Sequence, residues 1–396
     1  MFSDFLVAHY DKIEKIGIGP PSGPKEFLGL LEKSAAGQAL EMDEIVALLN
    51  SVPEPNNSRS LLDFSMSLER PHRREILLLP PLYFSSICEN CCRYCDFSPN
   101  GIRLSPREFS DELAALLQTG YRSIELVSSQ DPALYLRQAG FSLDDQKFDI
   151  RPVLEYVDIA KKCLAEYGGG MLTSNIPPLD RESLRKLKMA ELDCYLIWQE
   201  TFDAAQYGLL HGNGGPKKSQ KFRLDSVEYA LAAGIDHVAG AFLKGLFDWR
   251  KEEACLYLFD RHLKKNWGHG FSIIGTPRIK GKFIRSKQIR RYHVPDIDYE
   301  LNIALDRVLY DGVLWLQTRE PFALNRRLLK RFGGGLILTI TCSTAPGGYH
   351  KTFDAKAQFP VFRRELSSSL TSLEEDGFIV RFDWDSKTLK EFQRKG

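Results

Sequence analysis

The chain has 396 residues, 43% of them hydrophobic and 27% charged, which fits a globular protein of one large domain or two smaller ones. Its 53 Lys and Arg against 52 Asp and Glu leave no basic surplus to suggest a nucleic-acid partner, and no apolar run approaches the roughly 18–20 residues of a membrane span. The N-terminus, "MFSDFLVAHYDKIEK", lacks the basic-then-apolar order of a signal peptide, so a cytoplasmic location with reduced thiols is expected.

Residues 1–70 read as a helical extension: "ALEMDEIVALLNS" (39–51) carries apolar residues at helical spacing, and "PEPNN" breaks the pattern. From about residue 75 strand-like and helix-like segments alternate. The strand candidates are "EILLLPPLYFS", "SIELVSS", "GMLTSNI", "DCYLIWQE", "HVAGAFLKGL", "GFSIIGTPRI", "GVLWLQTRE" and "LILTITCST". Helices are predicted over 106–119, 181–191, 222–233, 249–265, 297–310 and 321–332. The first opens on a capping box, Ser105 with Glu108, and Pro106 at the first helical position. Gly120, Gly234 and Gly333–Gly335 sit where helices should stop. Eight strands alternating with helices predict an α/β protein with a (β/α)₈ barrel of TIM type over 71–350, followed by a C-terminal extension, 351–396. A doubly wound open sheet is the alternative.

The loop after the first strand, "SSICENCCRYCDFSPNG" (85–101), holds four of the chain's eight cysteines. A disulfide is disfavoured in a reducing compartment. Zinc could take two abutting CxxC pairs, Cys88/Cys91 and Cys92/Cys95, although adjacent Cys91 and Cys92 would struggle to reach one ion. The other parsing is C-x₃-C-x₂-C: Cys88, Cys92 and Cys95 with Cys91 as a bystander. Three thiolates on a four-iron cluster leave one iron free to bind a small molecule.

This spacing, with an aromatic before the last cysteine, resembles the radical S-adenosylmethionine (SAM) enzymes. The resemblance extends to their aromatic amino-acid lyases, in particular the 2-iminoacetate synthases, the tyrosine lyases of thiazole synthesis. "WQETFDAAQYGLLHGNGGPK" (198–217), "FRLDSVEYALAAGIDHVAGAFLKGLFDWR" (222–250), "LQTREP" (316–321), "STAPGGY" (343–349) and the tail from Gln358 to Asp385 are each similar to segments of that family. The resemblance implies a [4Fe–4S] cluster and SAM, a deoxyadenosyl radical, and cleavage of the Cα–Cβ bond of an amino acid. It also implies a one-electron donor of flavodoxin or ferredoxin type, a thiazole synthase as partner, and a barrel closed by residues 1–70 and the tail. The related maturases of [FeFe]-hydrogenase carry a further C-terminal cluster domain. With Cys342 the last cysteine, that reading is disfavoured.

On the same resemblance, Arg319 holds the substrate carboxylate through two parallel hydrogen bonds, the alternative being a salt bridge to Glu320. Ser343 and Thr344 donate to the substrate or merely cap a loop. Arg223 pairs with the SAM carboxylate or is a plain helix arginine. Tyr94 and Phe97 line the adenine pocket or pack in the core. Glu200, with Gln199, meets SAM or the substrate amine, and His211 is a substrate-side or a structural histidine. Three departures bear on the substrate. Ser129-Gln130 replaces the family's Gly-Glu, with Asp131 as a candidate to supply the lost charge. Asn175 stands at an acidic position, and Gln317 two residues before Arg319 replaces a serine. "IKGKF" follows Pro277-Arg278 where the family has "RP". The departures at Gln130, Asn175 and Gln317 favour a different amino acid, such as tryptophan, and the loss of the Gly-Glu pair favours a non-catalytic cluster- or zinc-binding protein without SAM.

Overall fold

The computed structural model describes the chain except residues 213–214, 282–283, 285, 318, 351–356, 360, 362–363 and 395–396, and the side chain of Gln288. Of the segments quoted above, Asn213–Gly214, Lys282–Phe283, Thr318, Pro360 and Phe362–Arg363 therefore lie outside the described residues. Four helices come first: α1 (Phe2–Ile13), α2 (Pro24–Ala35), α3 (Met42–Ser51) and α4 (Pro55–Ser67). Strands and helices then alternate: β1 (Glu75–Leu78), β2 (Pro81–Ser85), α5 (Pro106–Gln118), β3 (Ile124–Ser128), the small hairpin β4 (Leu136–Arg137) and β5 (Phe148–Asp149), α6 (Arg151–Glu166), β6 (Leu172–Asn175), α7 (Arg181–Met189) and β7 (Cys194–Leu196). There follow α8 (Ala204–Leu210), α9 (Gln220–Ala232), β8 (His237–Gly240), α10 (Trp249–Trp267), β9 (Ile273–Gly275), α11 (Lys287–Arg290), α12 (Asp296–Leu309), β10 (Val313–Leu316), α13 (Phe322–Phe332) and β11 (Leu336–Leu338). The tail adds α14 (Leu366–Glu375), β12 (Ile379–Arg381) and α15 (Ser386–Phe392).

The strands pair in the order β12-β1-β11-β10-β9-β8-β7-β6-β3-β2, every neighbour parallel. β1 and β2 are one stretch, broken where Pro80 and Pro81 remove two ladder donors. At the break Leu79 N–H donates to Leu338 at 3.3 Å and Pro80 accepts from Glu125 N–H at 3.0 Å, so the two ends of the curled sheet meet. This is the (β/α)₈-type architecture expected, and the doubly wound alternative fails. The central strands are short and almost wholly buried, as the continuous apolar runs of parallel strands require. The capping box forms as predicted: Glu108 accepts from Ser105 N–H at 2.7 Å and Ser105 accepts from Glu108 N–H at 3.3 Å.

The tail does more than the sequence indicated. β12 adds a strand beside β1 at the foot of the sheet, and Phe382 accepts from Arg122 N–H just before β3. Trp384, Leu389 and Phe392 then pack against the inward-facing Leu77, Met171, Cys194 and Ile337, which plugs the lower end. The indole of Trp384 donates to Leu78 at 2.8 Å. Higher up, Asp96 N–H donates to Gln358 at 3.2 Å and Gln358 N–H to Thr344 at 2.9 Å, laying the tail over the cysteine loop. Helices α1–α4 instead pack on the outer ring, against α9, α10, α12 and α13. Phe2, for example, stacks on Phe259 with ring centroids 4.0 Å apart. No helix among the described residues is long and apolar enough to cross a membrane.

Candidate active site

The upper ends of the strands surround a cavity of about 1120 Å³, its open mouth included. Cys88, Cys92 and Cys95 line one side of it, whereas Cys91 points to solvent. The cysteine loop is fixed from four directions. Cys88 N–H donates to Ser98 at 3.0 Å, Glu89 N–H to Gln130 at 3.1 Å, Arg93 N–H to Leu210 at 3.2 Å, and Asp96 N–H to Gln358. Gly101 closes the loop so tightly that a Cβ there would meet the Ser86 carbonyl oxygen at 2.3 Å. Tyr83, Phe97 and Val127 enclose Cys88, while Tyr94 and Leu243 back Cys92. Burial pushes all three thiols up, Cys95 to about 12, so only ligation to a metal would hold them as thiolates at neutral pH.

Opposite the cysteines lies a charged triad. Glu200, just past β7, takes a left-handed backbone (φ 69°), a strained conformation for a residue with a side chain. Its carboxylate meets Lys217 at 2.6 Å and Arg223 at 3.1 Å. Burial pushes the carboxyl up, but the two cations prevail and hold it at about 2. Arg223 also donates from Nε to the Trp198 carbonyl at 2.6 Å. Lys217 N–H donates to Asn90 in the cysteine loop at 3.1 Å, and Gly215 permits that approach, since a Cβ there would sit 2.3 Å from Asn90 Oδ1.

Arg319 lines the same cavity, its guanidinium 3.6 Å from the centroid of Phe359. Glu320 does not pair with it. That carboxylate binds Arg278 at 2.6 Å and Lys280 at 2.9 Å. Arg319 Nε is buried with no hydrogen-bond partner among the described residues. Gln130 Nε2 is in the same position. Asp131 cannot supply the charge that Gln130 lacks, because it is committed to Arg103 at 2.6 and 2.7 Å and to Ser85 at 2.6 Å.

Besides Asp131, the site residues singled out from the sequence that do not line the cavity are Gln199, His211 and Ser343. Gln199 is fully buried, its amide donating to the Ile197 carbonyl at 2.9 Å and accepting from Ala241 N–H at 3.0 Å. His211 lies behind Tyr94, with its Nε2 on the phenol hydroxyl and its Nδ1 2.9 Å from the Tyr207 carbonyl, and burial keeps it neutral. Ser343 donates to Ala345 at 3.0 Å and caps its own loop. Thr344 reaches the cavity but donates to Phe359 at 3.2 Å. Asn175 donates to Glu125 at 2.8 Å. Sequence reasoning missed Lys217, Asn90, Glu125, Trp198, Trp315, Gln358 and Phe359. The signal for Lys217 was its place in "GGPK"; for Glu125 it was an acid inside an otherwise apolar strand.

The residues present fit the implied groups. Three cysteines share a wall with nothing else to ligate, and the cations opposite outnumber the one ionised carboxylate. Arg319 and Gln130 present orphaned donors between them. Among the described residues no three His, Cys, Asp or Glu side chains converge as they would on a single metal ion.

Residues 82–256 match the radical SAM superfamily. They form a radical SAM domain. Members of that superfamily bind a [4Fe–4S] cluster and SAM. The chain is 25% identical to a 2-iminoacetate synthase of Escherichia coli (strain K12) over 92% of its length and 93% of that protein's. It is also 25% identical to the 2-iminoacetate synthase of Salmonella typhimurium over 90% of each. Among solved structures, the maturase of [FeFe]-hydrogenase HydG from Carboxydothermus hydrogenoformans superposes with a TM-score of 0.79 at 26% identity, over 99% of this chain and 86% of that one. A second HydG structure matches with a TM-score of 0.81 at 23% identity, over 97% and 81%. The protein is thus a radical SAM enzyme related to these two groups.

Proposed function

We propose that the enzyme is a radical SAM carbon–carbon lyase that cleaves the Cα–Cβ bond of L-tyrosine, giving 2-iminoacetate (dehydroglycine) and p-cresol. The observation that carries this reading is Arg319: a half-buried guanidinium, its Nε buried and unpartnered and no acid paired with it among the described residues, in the same cavity as the three cysteines. It is a carboxylate anchor placed within a radical site, and the names of the two curated relatives support the product.

When bound, the cluster and SAM supply a one-electron opening of the sulfonium and a radical able to take a hydrogen atom. The chain supplies the rest. Cys88, Cys92 and Cys95 ligate the cluster. Glu200, ionised at any physiological pH, receives the SAM ammonium together with the amide oxygen of Gln130, while Lys217 and Arg223 balance its carboxylate. Arg319 grips the substrate carboxylate bidentately and so presents the amino group toward SAM. Tyr83, Gln358 and Phe359 exclude water at the mouth, Tyr83 donating to Gln358 at 2.8 Å. A hydrogen atom leaves the amino group, the Cα–Cβ bond breaks, and the departing fragment takes one electron and one proton to become p-cresol. With the electron that opens SAM, the donor supplies two electrons per turnover. A flavodoxin- or ferredoxin-like protein fits that task, and a thiazole synthase is the partner expected to consume the unstable imine.

A second reading keeps the mechanism and changes the amino acid, tryptophan for example. Gln130 and Gln317, both facing the cavity, favour it. The test is anaerobic reconstitution of the cluster, followed by SAM, a reductant and each amino acid in turn, with products followed by mass spectrometry. Deoxyadenosine with p-cresol from tyrosine alone is the expected result. Deoxyadenosine with another fragment would move the substrate, and no SAM cleavage with any amino acid would overturn amino-acid lysis.

A further inference from the structure

Glu125 lies in mid-strand β3, opposite Pro81 and Thr173, on the inward face it shares with Val127. Layers at this depth of a barrel are normally filled by Val, Ile and Leu. The only hydrogen bond to its carboxyl among the described residues comes from Asn175 Nδ2, at 2.8 Å to Oε1. No Lys, Arg or His pairs with it there, and burial lifts its carboxyl to about 8, against a smaller downward pull from Asn175. It is therefore mostly a neutral carboxylic acid at pH 7, able both to donate and to accept. Trp198 and Trp315, ring centroids 5.7 Å apart, line the same cavity. Aromatic walls with an acid free of any ion pair suit an aromatic side chain that ends in a polar atom.

We infer that Glu125, held by Asn175, hydrogen-bonds the phenol hydroxyl of the substrate and selects against aromatic amino acids that lack one. The inference rests on the lyase reading above and deepens it. The substrate is then gripped at both ends, its carboxylate by Arg319 and its hydroxyl by Glu125. Phenylalanine would fill the same space but leave the buried acid short of a partner, and it is that orphaning which rejects an analogue. As a purely structural residue Glu125 has no rationale: it completes no ion pair, and an apolar residue would fill the layer at lower cost.

The test is anaerobic calorimetry on the cluster-reconstituted enzyme with SAM and no reductant, titrated with L-tyrosine, L-phenylalanine and L-lysine. The wild type is expected to bind tyrosine about 10- to 100-fold more tightly than phenylalanine. Glu125→Leu should bind the two within about threefold of each other, and Glu125→Gln should keep most of the preference. Should Glu125→Leu not hold its cluster, Asn175→Leu serves instead, with an expected loss of at least about threefold in the preference. Tyrosine bound with its full preference by the leucine variants would overturn the inference and leave the lyase reading standing. Preference for lysine in the wild type would overturn it by showing that the acid reads a cation. Binding of none of the three would overturn both together.

Discussion

Glu320 holds Arg278 at 2.6 Å and leaves its neighbour Arg319 to the cavity. A half-buried cation with no acid beside it, set only over the ring of Phe359, contributes little to the fold, because its desolvation is not repaid by an ion pair. Arg319→Met is therefore expected to unfold at the wild-type temperature or above it, while KM for the amino acid rises on the order of 100-fold. Thermal unfolding and steady-state kinetics on the same preparation check both halves. A fall in stability would make Arg319 a structural residue.

Glu200 is the opposite case. Removing its charge by Glu200→Gln leaves Lys217 and Arg223 buried and unbalanced, a change expected to cost about 3–5 kcal/mol in urea unfolding at pH 7. The pH dependence has a definite sign. A carboxyl held at about 2 in the fold and near 4.5 when unfolded contributes its full stability above the unfolded value and loses it as pH falls toward the folded one. The gap between wild type and variant should narrow as pH drops below about 4.5.

The cluster loop gives the sharpest substitution series. Cys88→Ala, Cys92→Ala and Cys95→Ala are each expected to lose bound iron and its absorbance after reconstitution. Cys91→Ala should retain both, since Cys91 faces solvent. Iron retained by any of the three, or lost from Cys91→Ala, would redraw the ligand set.

The barrel and its cysteine loop were legible because their signals are local. Apolar runs, Ser105 with Glu108, and the spacing of Cys88, Cys92 and Cys95 need no knowledge of distant residues. What was not legible depends on contacts far apart in sequence. Lys217 joins the candidate site only because Glu200 and Asn90 sit beside it, and Gln358 only because the tail folds back over Cys95. Glu125 was not legible because an acid in mid-strand reaches a barrel's cavity only through the fold, whereas strand ends mark the active face in the sequence itself. Asp131 misled in the other direction: a carboxylate next to Gln130 in sequence is spent on Arg103 in space.

The lower end of the barrel carries a structural prediction. Trp384 fills the base with 3% of its surface exposed and hydrogen-bonds Leu78, far from the cysteines. Trp384→Ala is expected to lower stability by about 3–5 kcal/mol. Tyrosine affinity measured below the transition should stay within about twofold of wild type if sites this far apart behave independently.

The most direct test of the account follows the hydrogen atom. The amino protons of tyrosine exchange with solvent, whereas those on carbon do not. Turnover of ordinary tyrosine in D₂O by the reconstituted enzyme should therefore give 5′-deoxyadenosine carrying one deuterium, together with p-cresol. Unlabelled deoxyadenosine would place the abstraction at carbon and contradict the proposed cleavage, and no deoxyadenosine would contradict tyrosine as the substrate.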